Sequence, residues 1–93
     1  MEPYRLRVPR RIEELVRSLH PEIKRKVRAG LDLIRTDPAV GGELRDELAG
    51  LRSLRVGRFR IVYRVAARRL IDLVAIGPRR TIYQETLRLL QRA

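Results

Sequence analysis

No cysteine occurs among the 93 residues, which rules out disulfides and thiolate metal sites. Histidine occurs once, at His20. One histidine cannot supply a zinc site built from protein alone, and it argues against histidine-centred acid/base chemistry. No carboxylates cluster along the chain, so a tightly held catalytic metal has no obvious ligand set; neither metal nor cofactor is expected. No apolar run approaches the ~20 residues of a membrane-spanning helix. The opening "MEPYRLRVPRR" lacks the apolar stretch of a signal peptide. A cytoplasmic protein with no membrane partner is expected. Repeats, low-complexity segments and linkers are also missing, so residues 1–93 read as one domain. A chain of this length buries about 60–65% of its unfolded surface, enough for one modest core.

Acidic residues are scarce in one half only. The chain carries 22 basic and 11 acidic side chains, a net charge of +11. Residues 1–50 hold 11 basic and 9 acidic, a net of +2; residues 51–93 hold 11 basic and 2 acidic, a net of +9. Only Lys24 and Lys26 are lysines; the other 20 basic residues are arginines. Such an imbalance implies a polyanionic partner, either nucleic acid or an acidic protein.

The apolar spacing gives the elements. "YRLRV" (4–8) alternates as a short first strand. Pro9 suits a helix start, and Ile12, Leu15, Val16 and Leu19 form one helical stripe. "LHPE" breaks it, and Pro21 can open a second helix with its stripe at Ile23, Val27, Leu31 and Ile34. Pro38 must end that helix. His20 falls between the helices, a structural position. Gly41-Gly42 reads as a flexible loop, and "ELRDELAG" as a short helical turn. Strand signals then follow at 51–56, 59–66 and 70–76, with turns at Gly57-Arg58 and near Ala67-Arg68, an antiparallel meander. "TIYQETLRLLQRA" ends the chain as a short amphipathic helix. The expected class is α+β: a first strand, a helical hairpin against one sheet face, the meander and a last helix.

The hairpin organises the arginines. With a two-residue loop at Gly57-Arg58, Val56 pairs with Phe59, Leu54 with Ile61 and Arg55 with Arg60. Phe59, Ile61, Tyr63 and Val65 then face the core, so Tyr63 is a packing residue. Arg55, Arg60, Arg64, Ser53 and Val62 share the opposite, open face. Arginines directly across a sheet repel, and an anion held between them would relieve this. If Val65 pairs with Leu70, Phe59 lies beside Ile76 and Arg58 beside Gly77. "GPRRTIY" (77–83) then brings Arg79, Arg80 and Tyr83 to the same face. Arginine forks match phosphate oxygens, and a tyrosine stacks on a base or donates its proton. Arg58, Arg52, Arg45, Lys24 and Lys26 extend the surface open to a nucleic-acid backbone.

"LRDELAGLRSLRVGRFRIVYRV" followed by "VAIGPRRTIY" resembles the RelE/ParE superfamily of toxins from type II toxin–antitoxin systems, over nearly the whole chain. The resemblance implies a RelE-like α+β toxin neutralised by a wrapping, acidic antitoxin. It implies, for a RelE-like member, a metal-independent endoribonuclease that cuts messenger RNA at the ribosome. Position by position, Arg60 would bind the scissile phosphate, Arg79 would assist charge stabilisation, and Tyr83 would stack on or orient the substrate. Two departures stand out. Many relatives have histidine where this chain has Pro78. RelE-like nucleases have strand lysines where it has Leu51 and Ser53. A ParE-like gyrase inhibitor, or a homologue that only engages an antitoxin, are the alternatives.

Overall fold

The computed structural model of the protein describes residues 3–92. Two prolines open its first two helices. Pro9 precedes α1 (Arg10–Ser18), and Pro21 is the first residue of α2 (Pro21–Thr36), where a missing N–H is no loss. His20 is the cap of α2, and its Nδ1 accepts the Glu22 N–H at 3.2 Å, a structural role. The apolar stripes of this hairpin bury Ile12, Val27 and Ile34 against Ile61, Tyr63, Ile71, Leu73 and Ile76 of the sheet. Tyr63 is fully buried; its hydroxyl donates to Pro38 O at 2.7 Å and accepts from Gly41 N at 2.9 Å. Burial pushes the Tyr63 phenol above its usual pKa.

The sheet has five strands in the order β1-β5-β4-β3-β2, where β1 is Arg5–Arg7, β2 Gly42–Glu43, β3 Arg52–Val56, β4 Phe59–Ala66 and β5 Leu70–Pro78. The meander is β3-β4-β5, as expected. The first strand joins as a parallel neighbour of β5, with Leu6 beside Ile71. Gly42 belongs to a two-residue edge strand paired with Ser53, rather than to a flexible loop. A 3₁₀ turn at Asp46–Leu48 follows β2.

The first hairpin has the expected register: Val56 pairs with Phe59, Leu54 with Ile61 and Arg55 with Arg60. Gly57 adopts φ +62 at the first loop position, which glycine alone takes freely. The second hairpin departs from expectation. Ala66, not Val65, pairs with Leu70, and Arg68 and Arg69 both take left-handed φ of 61 and 57 in the loop. The Arg69 guanidinium lies over the Tyr4 ring at 4.5 Å. Val74 is then a bulge: Tyr63 pairs with Leu73, but Val62 pairs with Ala75. Its carbonyl accepts from Arg11 Nη2 of α1 at 2.7 Å. A bulge reverses the alternation of a strand, so Leu73 and Ile76 both reach the hairpin side. Together the shorter, three-residue loop and the bulge place Phe59 beside Pro78 and Arg60 beside Gly77.

The opposite sheet face is not open. The last helix, α3 (Ile82–Gln91), lies across it. Ile82 packs with Leu48, Leu51, Val62 and Ala75, while Tyr83, Leu87 and Leu89 flank that second core. Val62, expected at the surface, is completely buried, worth roughly 1.5–3 kcal/mol for a side chain of its kind. Gly77 makes the close approach possible. A Cβ there would stand 3.1 Å from Ile82 Cδ1 and 3.3 Å from Glu85 Oε2.

Candidate functional site

The cleft is built where the first hairpin meets the start of α3. The β4–β5 ladder ends at Phe59 and Pro78, and one more bond, Arg79 N–H to Arg58 O at 2.9 Å, carries the pairing past the strand end. Arg79 is thereby held next to the hairpin tip. Thr81 N–H then donates to Pro78 O at 3.2 Å, the chain turns, and α3 begins with Tyr83 in its first turn. Arg58, Arg60, Pro78, Arg79, Arg80 and Tyr83 line the resulting cleft of about 700 Å³. Arg60, Arg79 and Tyr83, singled out from the sequence, therefore share one cavity with Arg58 and Arg80.

Arg60 is half-buried and turned toward β3. Its Nη1 donates to Ser53 Oγ at 3.3 Å, and its Cζ stands 5.8 Å from the centre of the Tyr83 ring. The Tyr83 hydroxyl also meets Ser53 Oγ, at 3.3 Å. Ser53 is only 5% exposed. Among the described residues, Arg58, Arg60, Arg79 and Arg80 form no ion pair with a carboxylate. A cleft lined by four guanidiniums and a phenol holds fixed positive charge that an anion with several oxygens would neutralise. Planar guanidinium forks suit phosphate.

The other sequence candidates lie elsewhere. Arg55 pairs across from Arg60, but the two side chains separate: Arg55 Nε reaches back to Gly57 O at 3.4 Å, outside the cleft lining. Arg52 points to the hairpin side, where Nη1 donates to Gly41 O at 2.7 Å and Nη2 pairs with Glu43 at 3.3 Å. Lys26 lies by the hairpin tip on the α2 side, among Ile23, Val56, Gly57 and Phe59. Lys24 is on α2, and Arg45 is exposed at the start of the 3₁₀ turn. At the far end of β4 and β5, Asp72 accepts from both Arg7 and Arg64, the latter at 2.8 Å. The Arg7 hydrogen bond, seconded by Arg64, holds the Asp72 carboxyl below its usual range, against the opposing effect of burial. Among the described residues, no three His, Asp or Glu side chains gather closely enough to hold a metal ion. The residue that sequence reasoning missed is Ser53. Its alternation in β3 put it on the right face, but nothing local reveals that two side chains converge on it.

A family model for the ParE toxin of the type II toxin–antitoxin system, parDE, matches residues 4–83. No curated protein sequence matches the chain. Among solved structures, the toxin–antitoxin complex RelBE2 from Mycobacterium tuberculosis contains a chain 29% identical to this one. It superposes with a TM-score of 0.73 over 85% of this chain and 94% of that one. The isolated RelE toxin of E. coli, 18% identical, shares the fold with a TM-score of 0.70 over 94% and 98% of the two chains. The archaeal RelE–RelB complex from Pyrococcus horikoshii, 21% identical, does so with a TM-score of 0.66 over 83% and 96%. With the family model spanning the first strand, the helical hairpin, the meander and the cleft through Tyr83, the chain belongs to the RelE/ParE superfamily, the toxins of type II toxin–antitoxin systems.

Proposed function

We propose that the protein is a RelE-like endoribonuclease that cuts messenger RNA at the ribosome without a metal. The convergence of Arg60, Arg79 and Tyr83 in one solvent-accessible cleft, free of carboxylate partners among the described residues, carries this reading. The 2′-OH of the substrate attacks the adjacent phosphorus, the bond to the 5′-oxygen breaks, and a 2′,3′-cyclic phosphate and a 5′-hydroxyl result. Arg60 binds the scissile phosphate, Arg79 stabilises the charge that develops on its oxygens, and Tyr83 stacks on or orients the reacting nucleotide. Arg58 and Arg80 hold flanking phosphates. A preorganised donor of this kind contributes roughly 10²–10³ in rate. The 2′-OH already stands beside the phosphorus, so the protein need not position a separate nucleophile. Pro78, Leu51 and Ser53 replace residues that supply acid/base groups in relatives. The ribosome is therefore the natural place for the reaction, since ribosomal RNA can help orient the message.

The match to the ParE family model favours a second reading, inhibition of DNA gyrase by the same fold acting as a binding module. Induction in growing cells separates the two. Translation is expected to stop first; an early arrest of DNA replication with translation intact would move the assignment to gyrase. Under either reading a cognate acidic antitoxin is the partner, attracted by the net charge of +11. Among the described residues no helix is long and apolar enough to cross a membrane.

A further inference from the structure

The geometry points to Ser53 as the positioning residue of the cleft: its buried hydroxyl sets the Arg60 guanidinium and the Tyr83 phenol in one arrangement. The inference rests on the nuclease reading only for its kinetic consequences. Three elements must be brought into register here: β3 with Ser53, β4 with Arg60 and α3 with Tyr83. Strand pairing aligns Ser53 with Val62, but no backbone bond ties the Tyr83 ring to Arg60. The hydroxyl of Ser53 makes that link, 3.3 Å from Arg60 Nη1 and 3.3 Å from the Tyr83 hydroxyl.

The chemistry of the three groups makes a hydroxyl the suitable hub. Arginine only donates, so Ser53 must accept from Arg60 with one lone pair. The second lone pair takes the Tyr83 proton, or the serine proton goes to the Tyr83 oxygen. Both hydrogen senses keep the anchor, so Tyr83 can accept a hydrogen bond from a substrate hydroxyl or donate one while remaining held. A lysine at 53 could do neither service for Arg60. It has no lone pair to offer when charged, and it would put a second cation beside the guanidinium. The serine thus marks a different internal wiring of the cleft. Both contacts are long, as catalytic hydrogen bonds of unloaded sites commonly are before substrate tightens them. Arginine has large rotamer freedom. Binding one of its nitrogens to a 5%-exposed acceptor fixes the fork and leaves its remaining donors for phosphate.

The test uses the full chain with Ser53→Ala, Ser53→Thr and Ser53→Cys. Cysteine keeps the shape but accepts poorly, so it decides the question if the alanine variant fails to fold. The first readout needs no activity: the Nε–Hε resonance of Arg60 in the free protein. A resolved signal is expected in wild type and Ser53→Thr, and collapse to the solvent-averaged arginine position in Ser53→Ala and Ser53→Cys. The second readout is cleavage of ribosome-bound message. Loss of the hub is expected to lower kcat about 10–100-fold, the scale of a misplacement of about 1 Å, with KM changed less than threefold and threonine restoring the rate. An unaltered Arg60 resonance in both Ala and Cys variants, or a threonine variant as impaired as alanine, would overturn the assignment. Absence of cleavage by wild type with a hub-dependent Arg60 signal would instead reject the nuclease reading and leave the role of Ser53 standing.

Discussion

Two groups of arginines occupy opposite ends of the same outer sheet face, and they are treated differently. At one end Arg7 and Arg64 close on Asp72. At the other, Arg58, Arg60, Arg79 and Arg80 line a cleft with Ser53 and Tyr83 as the polar neighbours of Arg60. The first group is a cross-strand clamp: Asp72 pairs with Arg7 on β1 and with Arg64 on β4, so one carboxylate ties three strands together. The second group gains nothing comparable from its neighbours. Clustered like charge opposes folding, and an anion bound under the proposed function would offset it. The clamp is a structural use of arginine, and the proposed function makes the cleft a binding use.

The comparison breaks most sharply at Arg60. Arg60→Ala should lower cleavage at least about 10²-fold, while the melting temperature stays within about 4 °C of wild type or rises. A collapse of stability would place Arg60 with the clamp. Asp72→Asn should show the reverse pattern: cleavage kept within a few-fold, and stability lowered by about 1 kcal/mol, a figure already discounted for solvent screening of surface ion pairs. Chemical denaturation of the two variants side by side reads this contrast directly.

Acid sharpens it further. The Asp72 carboxyl is held below its ordinary range in the folded protein. The carboxylate therefore stabilises the fold fully above the unfolded-state value of about 3.9, and the stabilisation fades as pH falls through the lowered folded value. The melting-temperature gap between wild type and Asp72→Asn should be widest near neutrality and close below about pH 4. A gap that does not change with pH would show that Asp72 acts through packing rather than charge. The smallest effect belongs to the cleft. Inorganic phosphate should raise the melting temperature by mass action, about 1.4 kcal/mol at tenfold its dissociation constant. Arg60→Ala should weaken that response and Asp72→Asn should not.

Which of these features the sequence revealed follows from how local their causes are. The first hairpin was legible because Gly57 sets both the turn and the register, and Arg55 opposite Arg60 follows by counting. The helices were legible because Pro9, Pro21 and Pro38 punctuate apolar stripes of helical period. The bulge at Val74 was not, since the donor to its freed carbonyl is Arg11, on a helix 63 residues earlier. The parallel pairing of β1 with β5 is equally distant in sequence. Burial of Val62 depended on α3 folding back over the sheet, which the amphipathic pattern of the tail allows but does not direct. The cleft was legible as a set of residues, Arg60, Arg79 and Tyr83. Its hub at Ser53, and the departure of Arg55 and Arg52 from it, came only from three-dimensional register.

The most direct measurement is the end chemistry of message cleaved on the ribosome, compared between an all-ribose strand and one with a single 2′-deoxy sugar at the scissile position. Cleavage is expected to leave a 2′,3′-cyclic or 3′-phosphate on one fragment and a 5′-hydroxyl on the other, and to vanish at the deoxy position. Fragments carrying 5′-phosphates, or undiminished cleavage at the deoxy sugar, would contradict a cleft that works by fixed positive charge around an internal 2′-OH nucleophile.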